Sequence, residues 1–263
     1  MARAVCEQKV RDGFSDAALR YDSLADVHKN IGRRLIEKAS PQNVQLPLLD
    51  IGMGTGWFTQ QLTAVFPTVM VVGLDFAPGM VSRAREREGR FKIVLADAAS
   101  LPFKEETFDM IVSNLAYQWV EDLPLAFAQC RTRLSRTGKL YLTMFGRETF
   151  RELFSALDTC LRERSSKNDF TIHRLADRRQ VENALTVAGF RSIHVESEYL
   201  RAHFPDMMSL VKWIKDIGAN ALSRDVYMGK DLFHQAGRYY NARFKDPRGV
   251  YATFEVIWVE AGR

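Results

Sequence analysis

The chain has 263 residues, with 37 Lys and Arg against 32 Asp and Glu, a formal net charge of +5 and a pI near 9.1. Its 46% hydrophobic content excludes a disordered chain, and its length suits one α/β domain with insertions. Cys6, Cys130 and Cys160 are far apart with no CxxC pair, and the five histidines show no metal spacing, which excludes a disulfide framework and a zinc site. Residues 1–45 read as two helices ahead of the first strand. The run Pro47-Leu48-Leu49-Asp50-Ile51-Gly52-Met53-Gly54-Thr55-Gly56-Trp57 then reads as a buried parallel strand, a tight turn, and a helix opening near Trp57. Gly52, Gly54 and Gly56 let the backbone bend and approach a ligand without Cβ interference. No Gly-Lys-Ser/Thr ending follows, which excludes a triphosphate P-loop. Asp50, placed before the first glycine, would repel a pyrophosphate and suits an ammonium group.

A second β-branched strand, Thr68–Asp75, ends in a carboxylate about 20 residues after the glycines, the spacing at which an acidic residue takes ribose hydroxyls. The alternative role for Asp75 is to cap a helix from Pro78 onward. Phe76 suits either an adenine face or the core. The mixed-sign run Arg83–Arg90 reads as a solvated helix face. A third strand, Phe91–Ala96, ends in Asp97-Ala98, where a carboxylate and a backbone N–H can read an adenine amino edge. The fourth, Phe108–Ser113, runs into Asn114-Leu115-Ala116-Tyr117-Gln118-Trp119. A helix over Leu123–Leu134, a turn at Thr137-Gly138 and a strand over Lys139–Met144 complete the alternation. Such alternation predicts a doubly wound, mostly parallel α/β sheet with its ligand at the carboxyl ends of the strands.

Acidic strand ends in the order ammonium, ribose, adenine suit S-adenosylmethionine (SAM). On these motifs residues 46–145 resemble the core of class I SAM-dependent methyltransferases. That resemblance implies a seven-stranded Rossmann-like sheet whose last strand is antiparallel, and adds Asn114 to the cofactor set. Arg191–Tyr199 and Tyr251–Val259 suit the last two strands. The segment 204–248 reads as a helical cap inserted between them, with Met208, Leu210, Val211, Trp213, Ile214 and Ile217 on one apolar face. Gly218 would let that helix bend or end.

Three further stretches resemble the malonyl-carrier-protein O-methyltransferases of biotin synthesis: Ser113–Trp119, Arg20–Asp26 and Ile214-Lys215-Asp216-Ile217-Gly218-Ala219. Met53 and Arg136-Thr137-Gly138 depart from that pattern without touching a residue given a chemical role. The resemblance implies transfer of a methyl group from SAM to the free carboxylate of a malonyl thioester on an acidic acyl carrier protein, whose meeting with a basic enzyme the charge favours. It places Tyr21, Gln118 and Trp119 at the reacting centre, with Tyr21 and Trp119 open to a plain packing role. Lys215, or else Arg147, is the cation expected to hold the carboxylate. Rival acceptors are another small carboxylate, a quinone precursor, RNA or protein, and the rival class is a non-catalytic assembly protein. No RNA-binding module is evident, and nucleic acid is not expected as a partner. No apolar run approaches membrane-spanning length and the start lacks a signal-peptide core, so no membrane contact and a cytoplasmic location are expected.

Overall fold

The structure is a computed structural model that describes residues 2–39, 44–164, 175–219 and 230–263. Two helices, α1 (Ala2–Leu24) and α2 (Asp26–Ala39), precede the sheet. Helix α2 buries Ile31, Gly32, Leu35, Ile36 and Ala39, a stripe of helical period, and its Asp26 start and Lys38 end suit the helix dipole. The core then alternates β1 (Leu48–Ile51), α3 (Trp57–Val65), β2 (Val71–Asp75), α4 (Pro78–Arg85), β3 (Phe91–Leu95) and β4 (Phe108–Asn114). After a 3₁₀ turn at Tyr117–Trp119 come α5 (Leu123–Arg133) and β5 (Leu134–Phe145). Helices α6 (Arg151–Arg164) and α7 (Arg178–Val187) follow, in a stretch to which the sequence reading assigned no element. The chain ends with β6 (Ser192–Phe204), α8 (Met207–Asp216), α9 (Lys230–Arg243), β7 (Lys245–Asp246) and β8 (Gly249–Gly262).

The strand order is β3-β2-β1-β4-β5-β8-β6, with β1 to β5 parallel and β8 antiparallel to both neighbours. The two-residue β7 pairs only with β8, so the expected seven strands become eight. Strands β1 and β2 are buried along their whole length, as a parallel sheet covered on both faces requires. Alternate residues serve opposite layers. Leu48 belongs to the core layer that holds α2, α3, α6 and α9, whereas Leu49 belongs to the layer of α5 and α7. The expected turn at Thr137-Gly138 falls inside β5, where the register opposite β4 jumps from Leu134 to Lys139 as an irregularity.

Chain order reverses between the neighbours β1 and β4, so the loops after their carboxyl ends diverge and leave a crevice. Two inserted pieces cover that end. Helix α1 lies against α4 so closely that a Cβ on Gly79 would stand 2.4 Å from the Ser15 carbonyl oxygen. On its other side α1 meets the end of α8, where Gly218 (φ +87°) stops the helix and touches Gly13 backbone to backbone. In α8 the buried methionine is Met207, and Met208 is 47% exposed. The rest of the expected apolar face, Leu210, Val211, Trp213, Ile214 and Ile217, is turned to the core, and Asp206 caps the helix by accepting from the Ser209 N–H at 2.7 Å. Cys130 and Cys160 are both buried, and the Cys130 thiol lies 2.8 Å from the Tyr117 hydroxyl.

Candidate active site

The turn after β1 borders a cleft of about 940 Å³ counted out to its open mouth, at the carboxyl ends of the strands. The Gly52 and Met53 N–H groups both donate to the Leu74 carbonyl, at 2.8 and 3.0 Å, which folds the turn back over β2. Gly52 (φ +76°) has no room for a side chain, since a Cβ would lie 2.2 Å from that of Ala116. Gly54 (φ +56°) is the opposite case: nothing stands within 4 Å of where its Cβ would be, so the missing side chain leaves open space in the cleft wall.

Asp75 at the end of β2 lines the cleft with both oxygens already engaged. The Gly54 N–H donates to Oδ2 and the Ala77 N–H to Oδ1, each at 2.8 Å. Each carboxylate oxygen keeps a second acceptor site for a ligand hydroxyl. Burial pushes its pKa up to about 6, against the pull of those N–H donors. Asp50, fully buried, lies behind this wall rather than on it. Its Oδ2 accepts from the Thr59 hydroxyl at 2.6 Å, and Oδ1 has no partner. Burial, with a smaller push from Asp75, raises its pKa to about 7. Asp50 does not border the cleft as the expected ammonium contact requires: it lies inside β1, with Ile51 and Gly52 between it and the cleft.

Phe76, Asp97, Ala98 and Asn114 line the same cleft. Asp97 accepts from the Ala99 N–H at 2.8 Å, and Asn114 donates to the His28 carbonyl at 3.0 Å while accepting from the Thr143 hydroxyl at 2.9 Å. Gly56 (φ +80°) is set back from the cleft and opens α3. Five carboxylates border the cleft, those of Glu7, Asp75, Asp97, Glu121 and Asp122, and among the described residues no Lys or Arg does. A wall of this sign suits a cation and opposes a phosphate-bearing dinucleotide. The open cradle at Gly54, the orphaned Asp50 oxygen and this acidic lining all fit SAM, whose sulfonium and ammonium are positive. Asp75 would hold its ribose, and Asp97 with Ala98 its adenine.

Arg87 is not the solvated helix residue expected. It forms an ion pair with Asp22 and donates to the Thr55 carbonyl at 3.0 Å, while the Thr55 hydroxyl donates to Asp22 Oδ1 at 2.6 Å. This latch ties α1 to the glycine turn, so the cover and the cradle are set together.

A second cavity, about 460 Å³, adjoins the cleft across shared walls of Phe14, Tyr21, Leu115 and Trp119. Aromatic side chains dominate it: Phe14 and Trp119 meet edge to face at 5.4 Å, and His28 stands 5.6 Å from Phe145 and 6.1 Å from Trp213. Tyr21 lies at the junction, 5.8 Å from the His28 ring, and burial, then Asp75 and Asp22, push its pKa above the usual phenol value. Gln118 is on this wall, buried, with Nε2 donating to the Leu115 carbonyl at 2.8 Å. Leu115 has φ +58°, a costly conformation for a residue with a Cβ, and the bend it makes turns Gln118 and Trp119 inward.

Neither predicted cation reaches this pocket. Lys215 is exposed on the last turn of α8, and Arg147 is held outside by Asp177 at 2.9 Å and Gln180 at 2.8 Å, the residues that cap α7. Helical phase decides the first: Leu210 and Ile217 face inward, which turns Lys215 out. Sequence reading missed Phe14 and His28. The seven-residue step from Phe14 to Tyr21, two turns of α1, is a signal that could have found the first.

Residues 49–142 match a methyltransferase-domain family. Among solved structures, the YcgJ protein of Bacillus subtilis aligns with a TM-score of 0.60 at 18% identity, covering 90% of this chain and 98% of that one. Phosphoethanolamine N-methyltransferase 2 of Haemonchus contortus, solved with S-adenosyl-L-methionine, aligns at 0.55 and 19% identity over 89% of this chain and 52% of that one. Cleft, topology and family match define a SAM-dependent methyltransferase of the class I fold. Over nearly the whole chain the similarity is narrower. The malonyl-[acyl-carrier protein] O-methyltransferase of Methylococcus capsulatus is 35% identical over 93% of this chain and 89% of its own, and that of Geobacter sulfurreducens 32% over 95% and 97%. The chain belongs to the malonyl-[acyl-carrier protein] O-methyltransferase family, enzymes that methylate oxygen at the expense of SAM.

Proposed function

We propose that this protein transfers the methyl group of SAM to the free carboxylate of a malonyl thioester on acyl carrier protein, forming the methyl ester that starts pimeloyl synthesis for biotin. The observation that carries this reading is end-to-end similarity to enzymes of that name, cap included. A malonyl carboxylate is ionised at neutral pH, so it is already a nucleophile and needs no general base. SAM, when bound, supplies an electrophilic methyl carbon. A carboxylate oxygen forms the new O–C bond as the C–S bond breaks, the electron pair goes to sulfur, and no proton moves.

What remains for the protein is alignment and the exclusion of water. Tyr21, Phe14 and Trp119, shared by cleft and pocket, are the walls between which the two reactants would meet. Methylation cancels the charge on the chain end and suits it to apolar tunnels downstream. Lys215 takes a different part from the one first given it. With Arg20, which donates to the Asp216 carbonyl at 3.1 Å, and Lys212 it forms an exposed basic corner where α1 meets α8. That corner would meet an acidic carrier. Among the described residues no helix is long and apolar enough to cross a membrane, and the reaction is assigned to the cytoplasm, without nucleic acid.

Purified protein with SAM should convert malonyl-carrier protein to a species heavier by one CH₂ and leave acetyl-carrier protein untouched. Inert malonyl thioesters beside methylation of a free dicarboxylic acid would overturn the biotin reading and keep the carboxylate class.

A further inference from the structure

Two polar atoms in the aromatic pocket have no partner: Nδ1 of His28 and Oε1 of Gln118. Buried polar groups are ordinarily paired, and an unpaired one costs stability in the free protein. Here two such groups share one apolar cavity beside the cofactor cleft. Their roles differ. The Gln118 amide is oriented by its Nε2 bond to the Leu115 carbonyl, so Oε1 can only accept. The His28 ring is held by Tyr21, Phe145 and Trp213, and its backbone carbonyl is gripped by Asn114 at the end of β4. Its Nδ1 can donate in one neutral tautomer.

We propose that His28 Nδ1–H donates to the non-attacking oxygen of the acceptor carboxylate, while Gln118 Oε1 accepts an amide N–H from the arm that carries the thioester. The inference rests on the carboxylate-methylating reading above and deepens it. A carboxylate offers only acceptors, so it belongs at His28 and is repelled at Gln118 Oε1. The first donor along a pantetheine thioester is an amide N–H, which is what Oε1 requires. An ordinary small diacid has no such group, so the pair selects for the arm as well as the acid.

Charge supports the assignment. Among the described residues no Lys or Arg lines the pocket. Burial holds the His28 pKa down at about 4, so the ring is neutral at working pH. The titratable groups around it are Tyr21, which stays protonated, and Asp22 and Lys29 beyond the helix bend, where Asp22 is neutralised by Arg87. A neutral donor orients the carboxylate without quenching it, whereas a buried cation would stabilise the ground state of the nucleophile.

The test uses the full chain with SAM and malonyl-pantetheine. His28→Leu should lower kcat/KM on the order of 100-fold, the usual cost of one donor at a reacting centre. Its SAM affinity by calorimetry should stay within about threefold of wild type, and its melting point should not fall, since an unpaired polar atom has been removed. His28→Asn, whose amide can donate from near the same place, should recover at least about tenfold of the loss. Gln118→Met should raise KM about tenfold for malonyl-pantetheine and leave KM for the S-methyl malonyl thioester, which has no amide, unchanged. In ¹⁵N spectra of the wild-type complex with S-adenosylhomocysteine and malonyl-pantetheine, His28 should be neutral with its proton on Nδ1. An imidazolium there, wild-type turnover in His28→Leu, or loss of SAM affinity equal to the loss of activity overturns the proposal. Should the Leu variant fail to fold, the Asn variant and the ring tautomer decide it. If malonyl thioesters are inert and another carboxylic acid is methylated in a His28-dependent way, the acceptor named above falls and His28 stands. If no carboxylic acid is methylated, both fall.

Discussion

The cofactor cleft and the acceptor pocket share four side chains and differ in how they are made. The cleft takes its floor from consecutive strand ends within one 50-residue span, Ile51 to Ala99, with α1 and the segment Asn114–Asp122 at its sides. The pocket is assembled from α1, α2, the turn after β4, the end of β5 and α8, and its walls are aromatic. Polarity follows construction. Strand ends expose N–H groups and acids that recognise a charged, hydroxyl-bearing ligand, whereas packed helices present side chains that remove water. The comparison teaches that cofactor recognition here is local in sequence and acceptor recognition is not.

The sharpest break in that comparison is Asp75→Ala. It removes the acceptor of the Gly54 and Ala77 N–H groups along with the proposed ribose contact, so SAM affinity should fall by about 1.5–3 kcal/mol or more. Calorimetry finding wild-type affinity would remove Asp75 from the cofactor set. Activity lost without loss of SAM affinity would move it to the acceptor side.

A middle-sized effect should come from Asp50, which is one layer behind the cleft. Its folded pKa of about 7 lies above the ordinary carboxylate value of 3.8, so its contribution to stability is present below about pH 4 and lost as pH rises through 7. His28, held near 4 from 6.5, acts with the opposite sign below pH 6.5. The difference in melting point between wild type and Asp50→Asn isolates the carboxylate. Wild type should lose ground to the variant as pH rises from 4 to about 8. A cationic ligand favours the ionised forms of Asp50 and Asp75, so SAM binding near pH 6 should release protons, and less in the variant. A difference that grows in favour of wild type with rising pH would mean the carboxylate is stabilised by partners the structure does not contain.

The smallest effect belongs to Lys215→Ala. Being outside both cavities, it should leave SAM affinity and the methylation of malonyl-pantetheine unchanged. On the carrier-bound substrate at low salt the rate should drop about two- to fivefold, and salt should erase the difference. A loss on malonyl-pantetheine would return Lys215 to the carboxylate and unseat the neutral grip proposed for His28.

Legibility divides along the same line. Asp75, Gly54 and the Asp97-Ala98 pair could be placed on the cleft from sequence because each ends its strand or follows it within three residues, and a strand's end fixes where the next backbone points. Asp50 shows the limit even there: the spacing picked it out, but its depth within the sheet keeps it off the cleft wall. For Lys215 and Arg147 a neighbouring motif was no guide to direction, since helical phase and the Asp177–Gln180 cap turned them outward. Arg87 read as solvent-facing by its charged neighbours, yet it reaches across to Asp22, a contact 65 positions away in the chain. The alternation of strands and helices, the glycine turn, the acidic strand ends and the family were determined by the sequence alone, because hydrophobic period and short-range spacing encode them. The acceptor pocket, its neutral histidine and the outward face of the lysine were decided only by tertiary structure, because they depend on how helices distant in sequence meet over the sheet.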